Sequence, residues 1–536
     1  MVFRSPFPDV EVPEVSLHEL LFGDLGDRAD RVALIDGGSG ASLTYGQVAG
    51  AVDRLAAALA ERDIGKGDVV GVLSPNTPHY AVVFHGILRA GATATTINAL
   101  YTPGEVAHQL LDSGAKMLFT VSALLGNAVQ GAEMAGVTDV VVLDGAEGHQ
   151  SLAELLATTA PAPEVRIDPA DDVAVLPYSS GTTGEAKGVM LTHRNLVANI
   201  VQCQPLLHLN DETRILAVLP FFHIYGMQVL MNNGLYVGAT VVTMPKFDLA
   251  EFLRVIAEHR TNRVYIAPPV AVALAKHPLV DQYDLSALDT IFSGAAPLDV
   301  DLAAAVRKRL NCKVSQGYGM TEMSPVSHAI PDSRDDISVG TVGVIIPNVE
   351  CRFVDPVTGE DVPVGQRGEL WCRGPNVMKG YLNNPGATAA TLDEDGFLHT
   401  GDVAAIDRHG IVSIVDRVKE LIKYKGYQVP PAELEAVLLT HPEIADAAVV
   451  GVRDEEGEEV PKAFVVRQPG VAGLDGDAVM AFVAERVAPH KKVRVVEFID
   501  AIPKSASGKI LRKDLRARER SESRLPDVHV VDVNQV

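Results

Sequence analysis

The stretch that points most directly to a fold is a loop rich in glycine and hydroxyl side chains, Tyr178-Ser179-Ser180-Gly181-Thr182-Thr183-Gly184-Glu185-Ala186-Lys187-Gly188. The apolar run at residues 173–177 before it predicts a buried strand. Residues 189–196 lead into a predicted helix with Thr192 as its N-cap, so the expected order is strand, loop, helix. Because glycines let backbone N–H groups approach an anion, while hydroxyls donate hydrogen bonds and Lys187 adds charge, this loop predicts a polyphosphate site.

The loop does not match the Walker A pattern, Gly-x-x-x-x-Gly-Lys-Ser/Thr. Counting from Gly181, the position of the second required glycine holds Ala186, and Gly188 follows Lys187 where Ser or Thr is required. The composition alone also fits a plain loop, because runs of Gly, Ser and Thr are common in loops. The phosphate interpretation therefore depends on other parts of the chain.

The bulk composition is that of a globular protein with more than one domain. The chain has 536 residues, which is too many for one hydrophobic core, and its 47% apolar and 21% charged content is ordinary. The net charge of −23 argues against nucleic acid or an anionic membrane as a partner. No apolar run reaches about 18 residues, so no membrane span is predicted. The N-terminus has no signal-peptide pattern.

The cysteines point to a reducing compartment. They lie far apart in the sequence and form no Cys-x-x-Cys pair, which predicts a cytoplasmic location and no zinc site. They are Cys203, Cys312, Cys351 and Cys372.

The hydrophobic pattern divides the chain. Residues 40–160 alternate between helix and strand periods, and the rhythm returns at residues 215–266, where helices are expected at 227–235 and 249–259 and strands at 215–219, 239–242 and 263–266. This rhythm predicts parallel sheets. After about residue 340 the strands alternate as half-exposed antiparallel ones do. We expect an α/β fold: a large N-terminal domain (1–416) of two doubly wound sheets plus a β-barrel-like subdomain, a hinge (417–420), a small α+β C-terminal domain (421–518) and a disordered tail (519–536).

Three further motifs carry candidate chemistry. His223 lies in Phe221-Phe222-His223-Ile224-Tyr225-Gly226, after a predicted strand, where open α/β sheets bind ligands; a lone histidine on an apolar face is more often a core residue. In Gln316-Gly317-Tyr318-Gly319-Met320-Thr321-Glu322, an adenine can stack on Tyr318 and Glu322 can hold Mg²⁺. The alternative is a tight turn with a solvated Glu and no function. The short string His399-Thr400-Gly401-Asp402 offers a carboxylate for ribose hydroxyls.

Taken together, these motifs resemble those of the acyl-adenylate-forming superfamily, in the same order and over nearly the whole chain. Within it, the chain is most similar to the 4-coumarate–CoA ligases. The supporting strings are the loop at 178–188, Phe222-His223-Ile224-Tyr225-Gly226, Ser293-Gly294-Ala295-Ala296-Pro297-Leu298 and Ile422-Lys423-Tyr424-Lys425-Gly426-Tyr427-Gln428. The chain departs from the superfamily at Ala186, where proline is usual.

The resemblance implies a role for each motif residue. It implies ATP or AMP binding by Ser179, Ser180, Gly181, Thr182, Thr183, Gly184, Lys187, Gln316, Gly317, Tyr318, Thr321, Asp402 and Arg417. It implies acid binding by His223, Tyr225, Gly294, Ala295, Gly317, Gly319, Pro325 and Val326. Because four of the seven residues after His223 in this set are Gly or Ala, we expect a roomy, flat-walled cavity. It implies catalysis by Lys509, Lys423, Gln428 and His223, Mg²⁺ binding by Glu322 and Thr183, and a hinge at Lys419 about which the C-terminal domain is mobile.

The function implied is ATP-dependent conversion of a 4-coumarate or cinnamate type of acid, a phenylpropanoid, to its CoA thioester through an acyl-adenylate. ATP, CoA and Mg²⁺ would be required, and the protein would be a monomer or homodimer. The nearest alternative is a fatty acyl-CoA ligase with the same mechanism. More distant alternatives are a P-loop kinase or ATPase, a peptide-synthetase module, a luciferase-type oxygenase and a non-catalytic binding protein.

Overall fold

The computed structural model describes residues 1–180, 186–424, 427–454, 459–471, 473–505 and 508–522. For Ser180, Gln428 and a few other residues it describes the backbone alone. The chain divides into two compact units, residues 1–414 and 415–536. Each unit has its own buried apolar cluster.

The first sheet of the N-terminal unit is parallel at its centre and antiparallel at one edge. Its strands are, in spatial order, Gly380–Tyr381, Ala186–Thr192, Val173–Ser180, Thr93–Ile97, Val69–Leu73, Ala115–Thr120, Asp139–Val142 and Gln150–Ser151. Most residues of the central strands are buried, as expected for strands covered on both faces.

The second sheet repeats this plan, with parallel strands flanked by antiparallel ones. Its strands are, in order, Val344–Ile345, Val326–Ala329, Lys313–Gly319, Thr290–Ser293, Arg263–Ile266, Arg214–Ala217, Thr240–Thr243, Val32–Asp36 and Ser42–Thr44. A third sheet is antiparallel across the pairs Phe3↔Cys351 and Cys351↔Cys372. Its strands are Phe3–Arg4, Glu350–Val354, Gly368–Arg373, Leu398–Ile406 and Val412–Arg417. The α/β architecture predicted for the N-terminal part is therefore confirmed.

Helices connect the strands of the N-terminal unit, and most begin at a side-chain cap. Their bounds are Leu17–Phe22, Tyr45–Ala60, Pro78–Arg89, Pro103–Ser113, Leu125–Ala135, Leu152–Leu155, His193–Cys203, Asn233–Tyr236, Leu249–His259, Pro268–Lys276, Val300–Leu310 and Pro385–Thr391. Short 3₁₀ turns cover Gly26–Arg28, Ser122–Leu124, Pro278–Gln282 and Thr321–Met323. Among the described residues, no helix is both long enough and apolar enough to cross a membrane.

Two local predictions are corrected by the structure. The glycine-rich loop does not lead directly into a helix, because Val173–Ser180 and Ala186–Thr192 pair as an antiparallel hairpin around it. The helix His193–Cys203 begins only after the second strand, with Thr192 as its N-cap as predicted. The segment after His223 was expected to be an ordinary α-helix, but Tyr225–Asn232 forms a π-helix.

The C-terminal unit is a small α+β body, as predicted. A hairpin joins Ile422–Tyr424 to Tyr427–Val429, and a second sheet orders Ile444–Arg453, Glu459–Arg467 and Val495–Phe498. Its helices are Pro431–Leu439, Gly476–Ala484 and Arg512–Glu522, with a 3₁₀ turn at Pro489–Lys491. The predicted disordered tail from residue 519 is wrong at its start, because the last helix continues to Glu522. The helix is tied to the sheet by an ion pair between Lys462 and Glu519.

Two cysteines that are far apart in the sequence are neighbours in space. Cys351 and Cys372 are directly opposite each other on antiparallel strands, with their Sγ atoms 3.6 Å apart. Both are buried thiols. Sequence separation therefore hid a contact that strand register creates.

Two buried histidines, His85 and His193, and the half-buried His18 are neighbours where helices of the N-terminal unit pack. His193 Nδ1 accepts a hydrogen bond from the backbone N–H of Leu17 at 3.1 Å, and His85 is fully buried on the helix Pro78–Arg89. Burial, with a smaller contribution from the neighbouring His18, lowers the pKa of His85 and of His193 to about 3. Burial and then Arg89 lower the pKa of His18 to about 4. All three rings are therefore neutral in the folded protein near pH 7.

We expect this cluster to make the fold acid-sensitive. In the unfolded chain these histidines bind protons below about pH 6.5, whereas in the folded protein they stay neutral to lower pH. The free energy of unfolding is therefore highest above that pH and decreases as the pH falls toward 4. Each such histidine lowers the free energy of unfolding by about 2 kcal/mol as the pH falls from 7 to 5. Urea unfolding followed by the fluorescence of Trp371, the single tryptophan, should show a smaller loss for His85→Leu than for the wild type. An equal loss in both proteins would contradict this assignment.

Candidate active site

The phosphate hairpin and Glu322 meet inside the N-terminal unit. Ser179 Oγ donates to Glu322 Oε1 at 3.1 Å, and the hydroxyl of Tyr381 donates to the same oxygen at 2.8 Å. Glu322 is 5% exposed. Lys187, opposite Ser179 in the hairpin, places its ammonium 5.1 Å from the centre of the Tyr381 ring. The hairpin thus brings a hydroxyl to the buried carboxylate, and its lysine lies against the ring of the tyrosine that binds the same carboxylate.

Tyr381 is a site residue that the sequence analysis missed. It lies on the short edge strand Gly380–Tyr381, opposite Val189 of the hairpin. Burial, and then the nearby Glu322, raise the pKa of Tyr381 well above its ordinary value, so the hydroxyl stays a donor. No local motif could have found it, since the contact joins residues 59 apart in the chain.

Glu322 suits a divalent cation. A buried carboxylate with one oxygen fixed by two hydroxyls is oriented in advance, and carboxylate plus phosphate oxygens are the ligands that Mg²⁺ prefers. The second predicted metal ligand, Thr183, lies outside the described residues, as do Gly181, Thr182 and Gly184. The side chain of Ser180 is also outside them.

The predicted adenine and ribose residues also come together. Tyr318 is the second-last residue of the strand Lys313–Gly319, and its hydroxyl donates to Asp402 Oδ2 at 2.5 Å. Burial, and then Asp402, raise the pKa of Tyr318 well above its ordinary value, so the pair stays a neutral phenol with its carboxylate partner. Thr321 opens the 3₁₀ turn that carries Glu322, next along the chain. The aromatic ring and both carboxylates therefore belong to one connected part of the unit.

The side chain of Gln316, a predicted nucleotide-binding residue, is hydrogen-bonded to the main chain in the structure. Its Nε2 donates to the carbonyls of Val339 and Thr341, and its Oε1 accepts from the N–H of Leu298 at 3.2 Å. The side chain is buried and braces the loops beside the strand. Nucleotide binding by Gln316 stays a prediction, and both N–H donors of its carboxamide are committed to the main chain.

His223 and Tyr225 lie at the start of the π-helix. The backbone N–H of Tyr225 donates to His223 Nδ1 at 3.2 Å, so a neutral imidazole carries its proton on Nε2. Tyr225 is buried, its ring meets Tyr265 edge to face, and its hydroxyl lies 3.5 Å from the carbonyl of Phe292. Burial raises the pKa of Tyr225 well above its ordinary value.

The glycines predicted to line the acid pocket are needed for close packing. The small residues at these positions led to the expectation of a roomy, flat-walled cavity. Instead, a Cβ added at Gly294 would lie 2.8 Å from the Tyr225 ring, and one at Gly319 would lie 2.1 Å from the carbonyl oxygen of Pro325. At Gly317 it would lie 2.8 Å from the carbonyl oxygen of His328. The expectation of free space on these sides is wrong, because neighbouring atoms already fill it.

The remaining acid-site candidates are Pro325, which is buried, and Ala295 and Val326, which are half-buried. Ala295 has a φ of 70°, which L-residues rarely adopt, at the turn after the strand Thr290–Ser293. Pro325 is buried and its carbonyl accepts from the N–H of Met320 at 3.0 Å. The carbonyl of Val326 accepts from Asn199 at 2.8 Å. These contacts define the backbone of this region; acid binding by the three residues stays a prediction.

Gly294→Ala should therefore act through Tyr225. The added methyl meets the Tyr225 ring at 2.8 Å, so the ring must move or the backbone must shift. We expect a loss of about 1–3 kcal/mol of stability, the usual cost of overpacking a core, and weaker binding of every acid, unsubstituted cinnamate included. Thermal unfolding and KM values for a series of ring-substituted acids will measure both effects. A variant that rejects only bulky acids would support a simple pocket-filling role instead.

The remaining candidates belong to the C-terminal unit. Lys509 lies in a turn where the N–H of Ser505 donates to its carbonyl at 2.8 Å and its own N–H donates to Ser505 Oγ at 3.1 Å. Gly508 has a φ of 84°, which suits glycine in that turn. Lys423 is exposed on the strand Ile422–Tyr424.

Three other predicted residues lie in this unit. Gln428 is the cross-strand partner of Lys423, and its side chain lies outside the described part. The N–H of Arg417 donates to Asp416 Oδ1 at 2.7 Å, at the end of the strand. Lys419 is exposed in the turn that follows. The structure describes these positions, and their roles stay predictions.

The N-terminal unit therefore defines a class of protein. Two doubly wound sheets, a glycine-rich hairpin without a Walker A pattern, a buried carboxylate suited to Mg²⁺ and a tyrosine–aspartate pair are the features of an adenylate-forming enzyme. The comparisons with known proteins agree. The AMP-binding enzyme model matches residues 24–382, and the model of the AMP-binding enzyme C-terminal domain matches residues 433–509.

Individual relatives cover nearly the whole chain. The chain is 45% identical to 4-coumarate–CoA ligase 5 of Oryza sativa subsp. japonica, over 96% of this chain and 97% of the relative. Its structure is similar to the anthranilate–CoA ligase AuaEII bound to anthranoyl-AMP, with a TM-score of 0.89, 26% identity and 96% and 99% of the two chains covered. It is also similar to ATP-bound MatB from Rhodopseudomonas palustris, with a TM-score of 0.86, 29% identity and 95% and 99% covered.

The chain belongs to the AMP-binding enzyme family. Within that family it is an AMP-forming acid–CoA ligase of the 4-coumarate–CoA ligase type.

Proposed function

We propose that this enzyme converts a 4-coumarate or cinnamate type of acid to its CoA thioester through an acyl-adenylate, with release of AMP and pyrophosphate. It uses ATP and CoA as co-substrates together with Mg²⁺. The observation that carries the proposal is the cluster of Ser179, Tyr381 and Glu322 beside the phosphate hairpin, in a chain 45% identical to a 4-coumarate–CoA ligase.

The chemistry needs two steps, because a carboxylate has no good leaving group for attack by a thiol. In the first step a carboxylate oxygen attacks the α-phosphorus of ATP, and the bond to the bridging oxygen of pyrophosphate breaks. In the second step the CoA thiol loses its proton and attacks the acyl carbon, and the C–O bond to AMP breaks. Mg²⁺ bound at Glu322 would neutralise charge on the phosphate oxygens.

The chain's own residues meet these needs. Lys187 and the hydroxyls of the hairpin suit phosphate oxygens, and the Tyr318–Asp402 pair suits adenine and ribose. Lys509 is proposed to bridge the carboxylate and the α-phosphate, where negative charge develops in the first transition state.

The second step is proposed to use different residues of the C-terminal unit. One lysine cannot serve both steps if the thiol must enter where Lys509 stands in the first step, so Lys509 would have to withdraw. We propose that this unit rotates about Lys419 between the two steps and presents Lys423 and Gln428 to the thiol. Lys419 is exposed in a turn that lies a few residues after the boundary between the two compact units.

The aryl class of acid is supported by the relatives. The curated relative acts, by its name, on 4-coumarate, and the structural neighbour holds anthranoyl-AMP, which also has an aromatic ring. A planar acid loses fewer torsional degrees of freedom on binding than a flexible alkyl chain. We also propose a cytoplasmic location, in keeping with four cysteines that are all buried thiols.

A panel of acids tests this proposal. AMP and pyrophosphate release should be measured with 4-coumarate, cinnamate, hexanoate and octanoate, with and without CoA. We expect 4-coumarate and cinnamate to exceed octanoate in kcat/KM by about tenfold or more, since one methylene of misfit alone changes specificity by about 10-fold or more. A higher kcat/KM for octanoate would favour the fatty acyl-CoA ligase. Stoichiometric ADP and phosphate would contradict adenylate formation altogether.

A further inference from the structure

We propose that Asn76, in the loop after a strand of the first sheet, is a positioning residue for the acid-binding segment that leaves the second sheet. Asn76 follows the strand Val69–Leu73 of the first sheet and is 2% exposed. Its Nδ2 donates to the carbonyls of Ala217 and Leu219 at 2.9 and 2.8 Å, and its Oδ1 accepts from the N–H of Phe221 at 2.7 Å. One carboxamide therefore holds the main chain that leaves the second sheet.

A second side chain of the first sheet acts on the same segment. Thr96, at the carboxyl end of the neighbouring strand Thr93–Ile97, donates from Oγ1 to the carbonyl of Phe222 at 2.8 Å. Thr96 is itself braced, because Gln109 Nε2 donates to its carbonyl at 3.0 Å. Residues 217–222 are thus bound at four points by two buried side chains of the first sheet.

The backbone between this bound segment and His223 has little freedom to move. The N–H of His223 donates to the carbonyl of Pro220 at 3.1 Å, and a Cβ at Gly226 would lie 2.1 Å from that carbonyl oxygen. The π-helix therefore starts pressed against the segment that Asn76 holds. A shift of Leu219 or Phe221 must pass to His223 and Tyr225, the acid-site candidates. This inference rests on the proposed function, because it assigns Asn76 an effect on acid binding.

Only a carboxamide makes these three bonds at once. An aspartate in the same place keeps an acceptor for Phe221 but lacks the two donors for Ala217 and Leu219. The chain also offers a matched control. Asn262 binds the main chain at the opposite, amino end of the strand Arg214–Ala217. Its Oδ1 accepts from the N–H of Arg214 at 2.8 Å and its Nδ2 donates to the carbonyl of Glu212 at 3.3 Å.

The experiment compares Asn76→Ala and Asn262→Ala in the full-length enzyme. For each variant, KM for 4-coumarate, KM for ATP, kcat and the thermal midpoint should be measured. Misplacing a group by about 1 Å can cost about 100-fold in rate, so we expect Asn76→Ala to lower kcat/KM for the acid about 10–100-fold. Its KM for ATP should stay within about twofold, since the nucleotide residues are held elsewhere. Asn262→Ala should leave both KM values within about twofold even if its thermal midpoint falls.

Equal effects of the two variants on the acid KM would contradict a positioning role. If Asn76→Ala does not fold, Thr96→Val tests the same segment, because it removes one hydrogen bond and keeps the side-chain shape. We expect its acid KM to rise about 3–10-fold; an unchanged value contradicts the inference. A wild-type enzyme that releases no AMP contradicts the proposed function itself, whereas an active wild type with unchanged variants contradicts only the role of Asn76 and Thr96.

Discussion

Lys509→Ala is expected to lower the rate of acyl-adenylate formation by about 10²–10³-fold, the usual cost of removing one preorganised donor from a site of developing charge. The turn around Gly508 and Ser505 holds the backbone of Lys509, so truncation should remove the ammonium without changing the turn. Acid-dependent exchange of labelled pyrophosphate into ATP measures this half-reaction directly. The same variant should still convert supplied acyl-adenylate and CoA to thioester at nearly the wild-type rate.

Lys504→Ala is the matched control for this experiment. Lys504 lies five residues before Lys509, in the same hairpin-like turn, and its ammonium pairs with Asp446 of the C-terminal unit at 2.5 Å. Its loss removes the same charge from nearly the same place. If Lys504→Ala lowers exchange as much as Lys509→Ala does, a general change of charge or fold is the cause and the assignment of Lys509 is wrong.

Lys423→Ala is expected to have the opposite effect. It should form the acyl-adenylate at nearly the wild-type rate and transfer the acyl group to CoA about 100-fold more slowly, the scale for a misplaced reacting group. Lys423 is exposed on its hairpin strand and its N–H donates to Glu459 at 2.8 Å, so the hairpin itself should survive the change. Single-turnover transfer from isolated enzyme-bound adenylate to CoA is the measurement.

An exposed lysine elsewhere in the same unit serves as the control for Lys423. Lys513 lies on the helix Arg512–Glu522 and its replacement by alanine removes the same charge. We expect Lys513→Ala to behave as the wild type in both half-reactions. If Lys423→Ala and Lys509→Ala fail in the same half-reaction, the account with two arrangements of the C-terminal unit is wrong.

Elements defined by local patterns could be predicted from the sequence. The helix Leu249–His259 and the strand Arg263–Ile266 have the predicted bounds, because apolar period and capping residues act within a few positions. Thr192 was likewise recognised as an N-cap. The hairpin was missed because the apolar residues before Thr192 were interpreted as a lead into the helix, whereas they pair with the preceding strand.

Contacts between distant segments could not be predicted in this way. Tyr381 reaches Glu322 from the edge strand of a sheet, and Asn76, after a strand of the first sheet, reaches Leu219, after a strand of the second. Gly294 is a further example. The sequence shows that this residue is small, but it does not show that the Tyr225 ring lies where a Cβ would be. Motif residues indicate the chemistry of a site, whereas the residues that hold them in place can be identified only from the three-dimensional structure.

The central claim is that the acid is activated as an acyl-adenylate. It is tested most directly with 4-coumarate labelled with ¹⁸O in both carboxylate oxygens, incubated with the enzyme, ATP, Mg²⁺ and CoA. In the proposed reaction one carboxylate oxygen bonds to the α-phosphorus and leaves with it, so mass spectrometry should find one ¹⁸O atom in each AMP released. Unlabelled AMP, or ADP with the label in inorganic phosphate, would contradict the account.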